Sequence, residues 1–274
     1  MLSIIIPWRD RPQLASTIVK FYEAADELQG EIVIVNFGGD YTLLDSLIPQ
    51  QNRQHIKIIN LTGIPYFNLS ATRNIGIHYA SHDLLFLCDC DILVDSTVIK
   101  DNVQLLNNHD NVFINPEGVF ETDGEWYRKT GTITHIRMGL GLTFDNGRSV
   151  ETFNQAINRE NGTRAGKGLM FIHKSMLLAI NGYNSVFEGW GWEDTDLVIR
   201  LQATLGAKPM LQGFFTHLSH GDAERVQHYE IQDRHKSNRA AYEIGLARYD
   251  KGNFLGTYQE DIKRFSECEV IQYC

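Results

Sequence analysis

The sequence predicts an α/β fold, a mostly parallel sheet flanked by helices, and three observations predict it. Short β-branched or apolar runs alternate with amphipathic segments as far as Asn115, the junctions carry turn and stop residues, and 274 residues suffice for one large domain with its own core. At this cadence the connections are right-handed βαβ units. A ligand would then sit beyond the carboxyl ends of the strands.

The runs Leu2 to Ile6, Glu31 to Asn36, Ile56 to Leu61, Leu84 to Cys88 and Val112 to Asn115 read as buried strands. Between the first two, Pro12 to Leu28 sets Leu14, Ile18, Phe21, Ala25 and Leu28 at helical steps, and Gly30 stops it. Asn68 to Ala80 and Ser96 to Leu106 continue the pattern. From Gly118 to Gly168 the chain is polar, glycine-rich and without clear period, which predicts a long irregular loop or lid. Helices resume at Lys174 to Ile180 and Glu193 to Leu205. An extended piece, Lys208 to Leu218, then leads to a polar helical tail. The expected organisation is one catalytic domain over residues 1–222, with residues 223–274 as a helical extension packed on it.

Twenty-five Lys+Arg against 34 Asp+Glu give a net charge of −9, which argues against a nucleic-acid partner. The segment MLSIIIPWRDR is too short for a signal peptide or a transmembrane span. Cys88, Cys90, Cys268 and Cys274 read as reduced thiols, because residues two apart on a strand are poorly placed for a bridge. Without a secretory signal, the sequons at Asn60, Asn68 and Asn161 say nothing about glycosylation.

Five segments could carry chemistry. Asp89 and Asp91 alternate at the end of an apolar strand, a pairing suited to a divalent cation that holds a diphosphate; alone, it reads more readily as strand-ending acids. His217 and His220 would complement such a carboxylate and favour Mn²⁺ over Mg²⁺, although an isolated H-x-x-H is more simply a pair of loop histidines. Gly189 to Asp196 sets Trp190 and Trp192 beside Glu193 and Asp194, an aromatic platform next to carboxylates, as a sugar site requires. Acids in a helix's first turn also serve its dipole. Pro7 to Arg11 offers Arg9 and Arg11 to a diphosphate, and Phe67 to Gly76 offers a stacking Phe67 and a phosphate-facing Arg73.

Taken in order, IPWRDR (Ile6 to Arg11), FNLSATRNIG (Phe67 to Gly76), the CDCD strand end, INGY (Ile180 to Tyr183), GWGWED (Gly189 to Asp194) and the H-x-x-H resemble the β-1,4-galactosyltransferase family and its bacterial and chondroitin-polymerase relatives. The resemblance spans roughly Ile4 to Gly221. It implies the GT-A fold and a UDP-sugar donor, with Asp91, His217 and His220 holding Mn²⁺. It assigns donor contacts to Pro7, Arg9, Arg11, Phe67, Arg73, Asp89, Cys90 and Trp190. Asp194 becomes the catalytic base and Glu193 its acceptor-binding neighbour, with Trp190 and Trp192 also on the acceptor. Trp192 stands where glycine is more usual, and His217 where vertebrate members usually have methionine.

Inverting transfer follows from the resemblance, with residues 158–168 as a lid over the donor. A bulky tyrosine of the galactose-specific enzymes is replaced by Ala165 and Gly166. UDP-galactose and UDP-N-acetylgalactosamine therefore both remain open, with a glycan, lipid-linked sugar or other glycosyl acceptor. The expected setting is a bacterial cytoplasmic enzyme, at most peripheral to the inner membrane, serving polysaccharide biosynthesis. A non-catalytic carbohydrate- or nucleotide-binding protein and a metal-dependent UDP-sugar hydrolase are the alternatives.

Overall fold

A computed structural model describes residues 1–124 and 131–273. In chain order the first half runs β1 (Leu2–Trp8), α1 (Leu14–Glu27), β2 (Glu31–Phe37), α2 (Tyr41–Leu47), β3 (Ile56–Leu61), α3 (Leu69–Tyr79), β4 (Leu84–Leu87), β5 (Ile92–Leu93), α4 (Ser96–Asn108), β6 (Val112–Asn115) and β7 (Gly118–Glu121). The second half continues β8 (His135–Thr143), β9 (Ser149–Asn158), β10 (Thr163–Arg164), β11 (Met170–His173), α5 (Lys174–Ala179), α6 (Glu193–Leu205), β12 (Lys208–Leu211), β13 (Phe214–His217), α7 (Asp222–Val226), α8 (Arg234–Asp250), α9 (Tyr258–Arg264) and β14 (Glu269–Gln272).

The main sheet has eight strands in the order β12-β6-β11-β4-β1-β2-β3-β14. Its centre, β4-β1-β2-β3, is parallel, as the strand–helix cadence predicts. β11 enters antiparallel between β4 and β6, and β14 closes the other edge antiparallel to β3. Alternation within single strands divides the core. Ile4, Ile6, Ile32, Ile34 and Phe86 meet α1 and α4 on one face, whereas Ile5, Val33, Val35, Leu85 and Leu87 meet α3, α5 and α6 on the other. The strands are thus buried on both faces, which is why they read as continuous apolar runs.

The irregular loop expected over residues 118–168 is, where described, mostly strand. β7, β8, β9 and β10 join β5 and β13 in a second, six-stranded sheet of order β5-β13-β7-β10-β9-β8. The long β8–β9 hairpin escapes the sequence reading because β8, although Ile136, Met138, Leu140 and Leu142 alternate along it, is solvent-exposed over most of its length and sets Gly139 and Gly141 between its apolar residues. Residues 125–130 of that region lie outside the described residues, as does Cys274. The tail is likewise not wholly helical, because it returns β14 to the main sheet. Cys88 and Cys90 are buried free thiols and Cys268 is a partly buried one. Among the described residues no helix is long and apolar enough to cross a membrane.

Candidate metal and catalytic site

The parallel strands β1 and β4 are neighbours, so their carboxyl ends deliver residues 7–11 and 88–91 to the same rim. The small sheet meets them there. β13 runs antiparallel to β5 with His217 opposite Ile92, and the Leu218 amide donates to the Asp91 carbonyl at 2.9 Å. Asp91, His217 and His220 each turn one ligand atom inward, all within 4.8 Å of one another. His220 Nε2 lies 3.1 Å from Asp91 Oδ2, and His217 Nε2 lies 3.6 Å from Asp91 Oδ1.

Burial alone would raise the pKa of Asp91, but the two adjacent imidazoles, His220 in hydrogen-bond contact and His217 close by, hold it well below the usual carboxylate range. Asp91 Oδ1 is buried with no hydrogen-bond partner among the described residues. A buried anionic oxygen without a donor, facing two imidazole nitrogens, fits a divalent metal, and the mixed oxygen and nitrogen set suits a borderline ion better than Mg²⁺. On its far side, His217 Nδ1 lies 2.6 Å from Glu121 Oε2. Burial works against the Glu121 charge, yet His217, Arg164 and Ser219 hold that carboxyl low as well.

The second constellation opens α6. Trp192 is its N-cap at φ +74° and Gly191 precedes it at φ +96°, so the chain turns through the left-handed region before the helix starts. α8 presses on this turn: a Cβ on Gly189 would lie 2.0 Å from Ser237 Oγ, and one on Gly191 would lie 2.5 Å from Asn238 Nδ2. That contact accounts for the two glycines. The turn leaves Asp194 a quarter exposed to the cleft and Glu193 buried. Burial, with the Asp194 charge beside it, pushes the Glu193 carboxyl up to about 8, and Glu193 Oε2 is buried without a hydrogen-bond partner.

Arg73 ties Asp194 to Asp89, two residues before Asp91, which corrects the expectation that this residue faces the donor's phosphates. Arg73 is fully buried in α3 and is not part of the cleft wall. Its guanidinium donates to Asp194 Oδ1 at 2.5 Å, Asp89 Oδ1 at 3.0 Å, the Gly168 carbonyl at 3.1 Å and the Tyr183 hydroxyl at 3.4 Å. The sequence spacing could not reveal this, because both carboxylates arrive from distant elements. Gly168 closes over the pair, and a Cβ there would lie 3.0 Å from Asp194 Oδ2.

One cleft of about 1400 Å³ contains both constellations, more than a single drug-sized ligand needs. Pro7, Arg9, Arg11, Phe67, Asp89, Cys90, Asp91, Trp190, Trp192, Glu193, Asp194, His217 and His220 all line it. Arg9 donates to the Pro65 carbonyl and keeps Nε and Nη1 buried without partners, available to a ligand. Arg11 differs from expectation, since Glu224 of α7 takes its guanidinium at 2.8 Å. Phe67 packs edge-on against Phe37 and Tyr229. Cys90 is 4% exposed and belongs to the apolar core, so only its backbone edge is offered to the cleft. Trp192 is 5% exposed and packs against Tyr242 beneath α8, a wall of the cleft and not an open platform. Trp190 is the more open ring, with the Arg234 guanidinium 4.5 Å above it. Burial and repulsion from Arg164 and Arg234 lower the Arg225 pKa. Glu121, Arg164, Lys167, Arg225 and Arg234 were not foreseen, because strand register and helix docking bring them to the cleft.

Comparison with solved structures finds GalNAc-T7 with UDP, GalNAc and Mn²⁺ at TM-score 0.57 and 13% identity, matched over 97% of this chain but 56% of that one. The mannosyltransferase of Pyrobaculum calidifontis in complex with GDP-Man and Mn²⁺ matches at TM-score 0.53 and 10% identity, over 83% of this chain and 61% of that one. A mutant of Drosophila β1,4-galactosyltransferase 7, in complex with manganese, UDP-Gal and xylobiose, matches at TM-score 0.48 and 14% identity, over 86% and 78%. The chain thus spans less than two thirds of the first two, and the fold it shares with them is GT-A. No curated protein matches the sequence significantly. Residues 149–232 match the model of the N-terminal domain of galactosyltransferase. Residues 3–175, well over half of the sequence, match the model of glycosyl transferase family 2, and the chain belongs to that family.

Proposed function

We propose that the chain is an inverting, Mn²⁺-dependent transferase that moves galactose or N-acetylgalactosamine from a UDP-sugar to a hydroxyl of a glycan, lipid-linked or other glycosyl acceptor. One observation carries the reading: the Asp91, His217 and His220 cluster and the Asp194 carboxylate open into one cleft. Two structural neighbours that hold a nucleotide or nucleotide-sugar with Mn²⁺ support it.

Asp91, His217 and His220 would hold the cation, which when bound neutralises the diphosphate as it departs. Arg9, with two buried unpartnered nitrogens, would contact the nucleotide from the β1 rim. Trp190 offers an apolar face to a sugar ring. Asp194, held by Arg73, would take the proton of the acceptor hydroxyl as that oxygen attacks the anomeric carbon. Glu193, kept protonated by burial, would donate a hydrogen bond to the acceptor. Ala165 and Gly166 line the cleft and leave room for an N-acetyl group, so both donors stay within the proposal.

The test is UDP release from a panel of UDP-sugars, with Mn²⁺ or with chelator, followed by product analysis. Metal-dependent release with a new glycosidic bond is the expected result. No release from any donor across a broad acceptor set would refute it, and release to water alone would indicate a hydrolase.

A further inference from the structure

We propose that Glu121 is the positioning residue of the metal site: by accepting the Nδ1 proton of His217 it fixes that imidazole's tautomer and ring plane, so that Nε2 is presented bare to a cation shared with Asp91 and His220. The inference rests on the metal site of the proposed function and deepens it.

The strand register carries the argument. β7 and β13 are parallel with Glu121 paired to His217, while β13 and β5 are antiparallel with His217 paired to Ile92, the residue after Asp91. The register therefore sets Glu121 beside His217, and Asp91 stands at the entry to β5, one residue before the partner of His217. Glu121 is itself immobilised. Its side chain is 5% exposed, Oε1 accepts from Arg164 Nε at 2.5 Å, and Oε2 accepts from His217 Nδ1 at 2.6 Å and Ser219 Oγ at 2.7 Å. A carboxylate beside an arginine only accepts, so the proton between it and His217 belongs to Nδ1.

The opposite edge of the ring then has a lone pair to give. His217 Nε2 and Asp91 Oδ1 stand 3.6 Å apart, too far for a hydrogen bond, and that oxygen has no other hydrogen-bond partner among the described residues. Two acceptors facing one gap is an arrangement that a cation satisfies. His220 lacks a comparable anchor, since its Nδ1 meets only the Gly221 carbonyl at 3.4 Å. His217 is the preset ligand and His220 the adjustable one.

The experiment titrates the full chain with Mn²⁺ alone, reading free Mn²⁺ by electron paramagnetic resonance, and records urea unfolding of each metal-free protein. Glu121→Ala should weaken Mn²⁺ binding by about 10- to 100-fold, and Glu121→Gln, which keeps an acceptor oxygen without the charge, by an intermediate factor of about 3 to 10. Metal-free Glu121→Gln should unfold close to wild type. A purely structural Glu121 would instead lower metal-free stability and leave Mn²⁺ affinity unchanged in both variants, which overturns the inference; if Glu121→Ala does not fold, an unchanged affinity in Glu121→Gln does so alone. A wild type that binds no Mn²⁺, or an Asp91→Ala variant that binds it normally, would overturn the metal site itself and this inference with it.

Discussion

Replacing Arg73 by methionine keeps the length of the side chain and removes its charge, which separates two roles that the residue could play. The guanidinium is fully buried, and its four hydrogen bonds run to Asp194, Asp89, the Gly168 carbonyl and Tyr183. Without it Asp89 loses its ion pair, and Lys167 is left as the cation acting on Asp194 and Glu193. Removing one member of a buried pair costs about 3–5 kcal/mol. Here Asp89 and Asp194 keep 41% and 24% of their side chains open to solvent, so screening reduces the loss to about 2–3 kcal/mol. That corresponds to a fall in Tm of about 4–10 °C for a chain of this size. An unseated base should lower kcat by about 100-fold. Because Arg73 lies behind the cleft wall, the Kd of the Mn²⁺-bound donor should move by no more than about threefold, under 1 kcal/mol. Urea unfolding, UDP release at saturating acceptor and donor titration measure the three quantities. A donor Kd raised 100-fold with kcat preserved would mean that the guanidinium grips the donor's phosphates after all.

Three further outcomes follow from the same geometry. Asp91→Ala should abolish metal-dependent donor binding, whereas Asp194→Asn should bind donor normally and lose about 10²- to 10⁴-fold in kcat; normal turnover by Asp194→Asn would remove it as the base. The folded chain keeps Glu193 protonated up to about 8, while the unfolded chain loses that proton near 4.5, so the folded state binds more protons between these values and loses stability as pH rises through the window. Glu193→Gln should therefore gain on wild type by up to about 1.4 kcal/mol per pH unit there, and equal differences in urea midpoint at pH 5 and pH 8 would contradict the burial argument. Trp192→Gly relieves a left-handed backbone worth about 1–2 kcal/mol but empties a buried ring site worth about 3–5 kcal/mol, so a net loss of about 2–3 kcal/mol is expected in denaturant unfolding, and a stabilised variant would show that the strain dominates.

The parts legible in the sequence are those set by local pattern. The buried strands of the main sheet announce themselves because both of their faces are apolar, and α6 spans Glu193–Leu205 as its stripe predicts. Asp91, His217 and His220 were each weak signals alone and stood out because the D-x-D and the H-x-x-H occur together, in order with the other motifs. What stayed hidden depends on long-range choices. β8 and β9 pair with each other across a largely exposed hairpin, where Gly139 and Gly141 obscure the alternation of Ile136, Met138, Leu140 and Leu142. Arg73 looked available because its partners, Asp89 and Asp194, come from other elements. Trp192 looked like a platform because only the docking of α8 covers it. Glu121 carries no motif at all, and only the register of β7 against β13 gives it a partner.

The pairing of β14 with β3 has a consequence for how the molecule is made. Glu269 pairs with Asn60, 209 residues earlier, so the rim of β3 is sealed only once that distant segment has been synthesised. Until then Ile56–Leu61 offers an unpaired row of backbone donors and acceptors on a β-branched-rich strand, the kind of template on which nascent chains join edge to edge. Closing so large a loop costs entropy that the β3–β14 contact must offset. Removing residues 269–273 would thus spare every group in the cleft and still lower the yield of soluble enzyme, so that the site's integrity and the protein's recovery from cells depend on opposite ends of the same sheet.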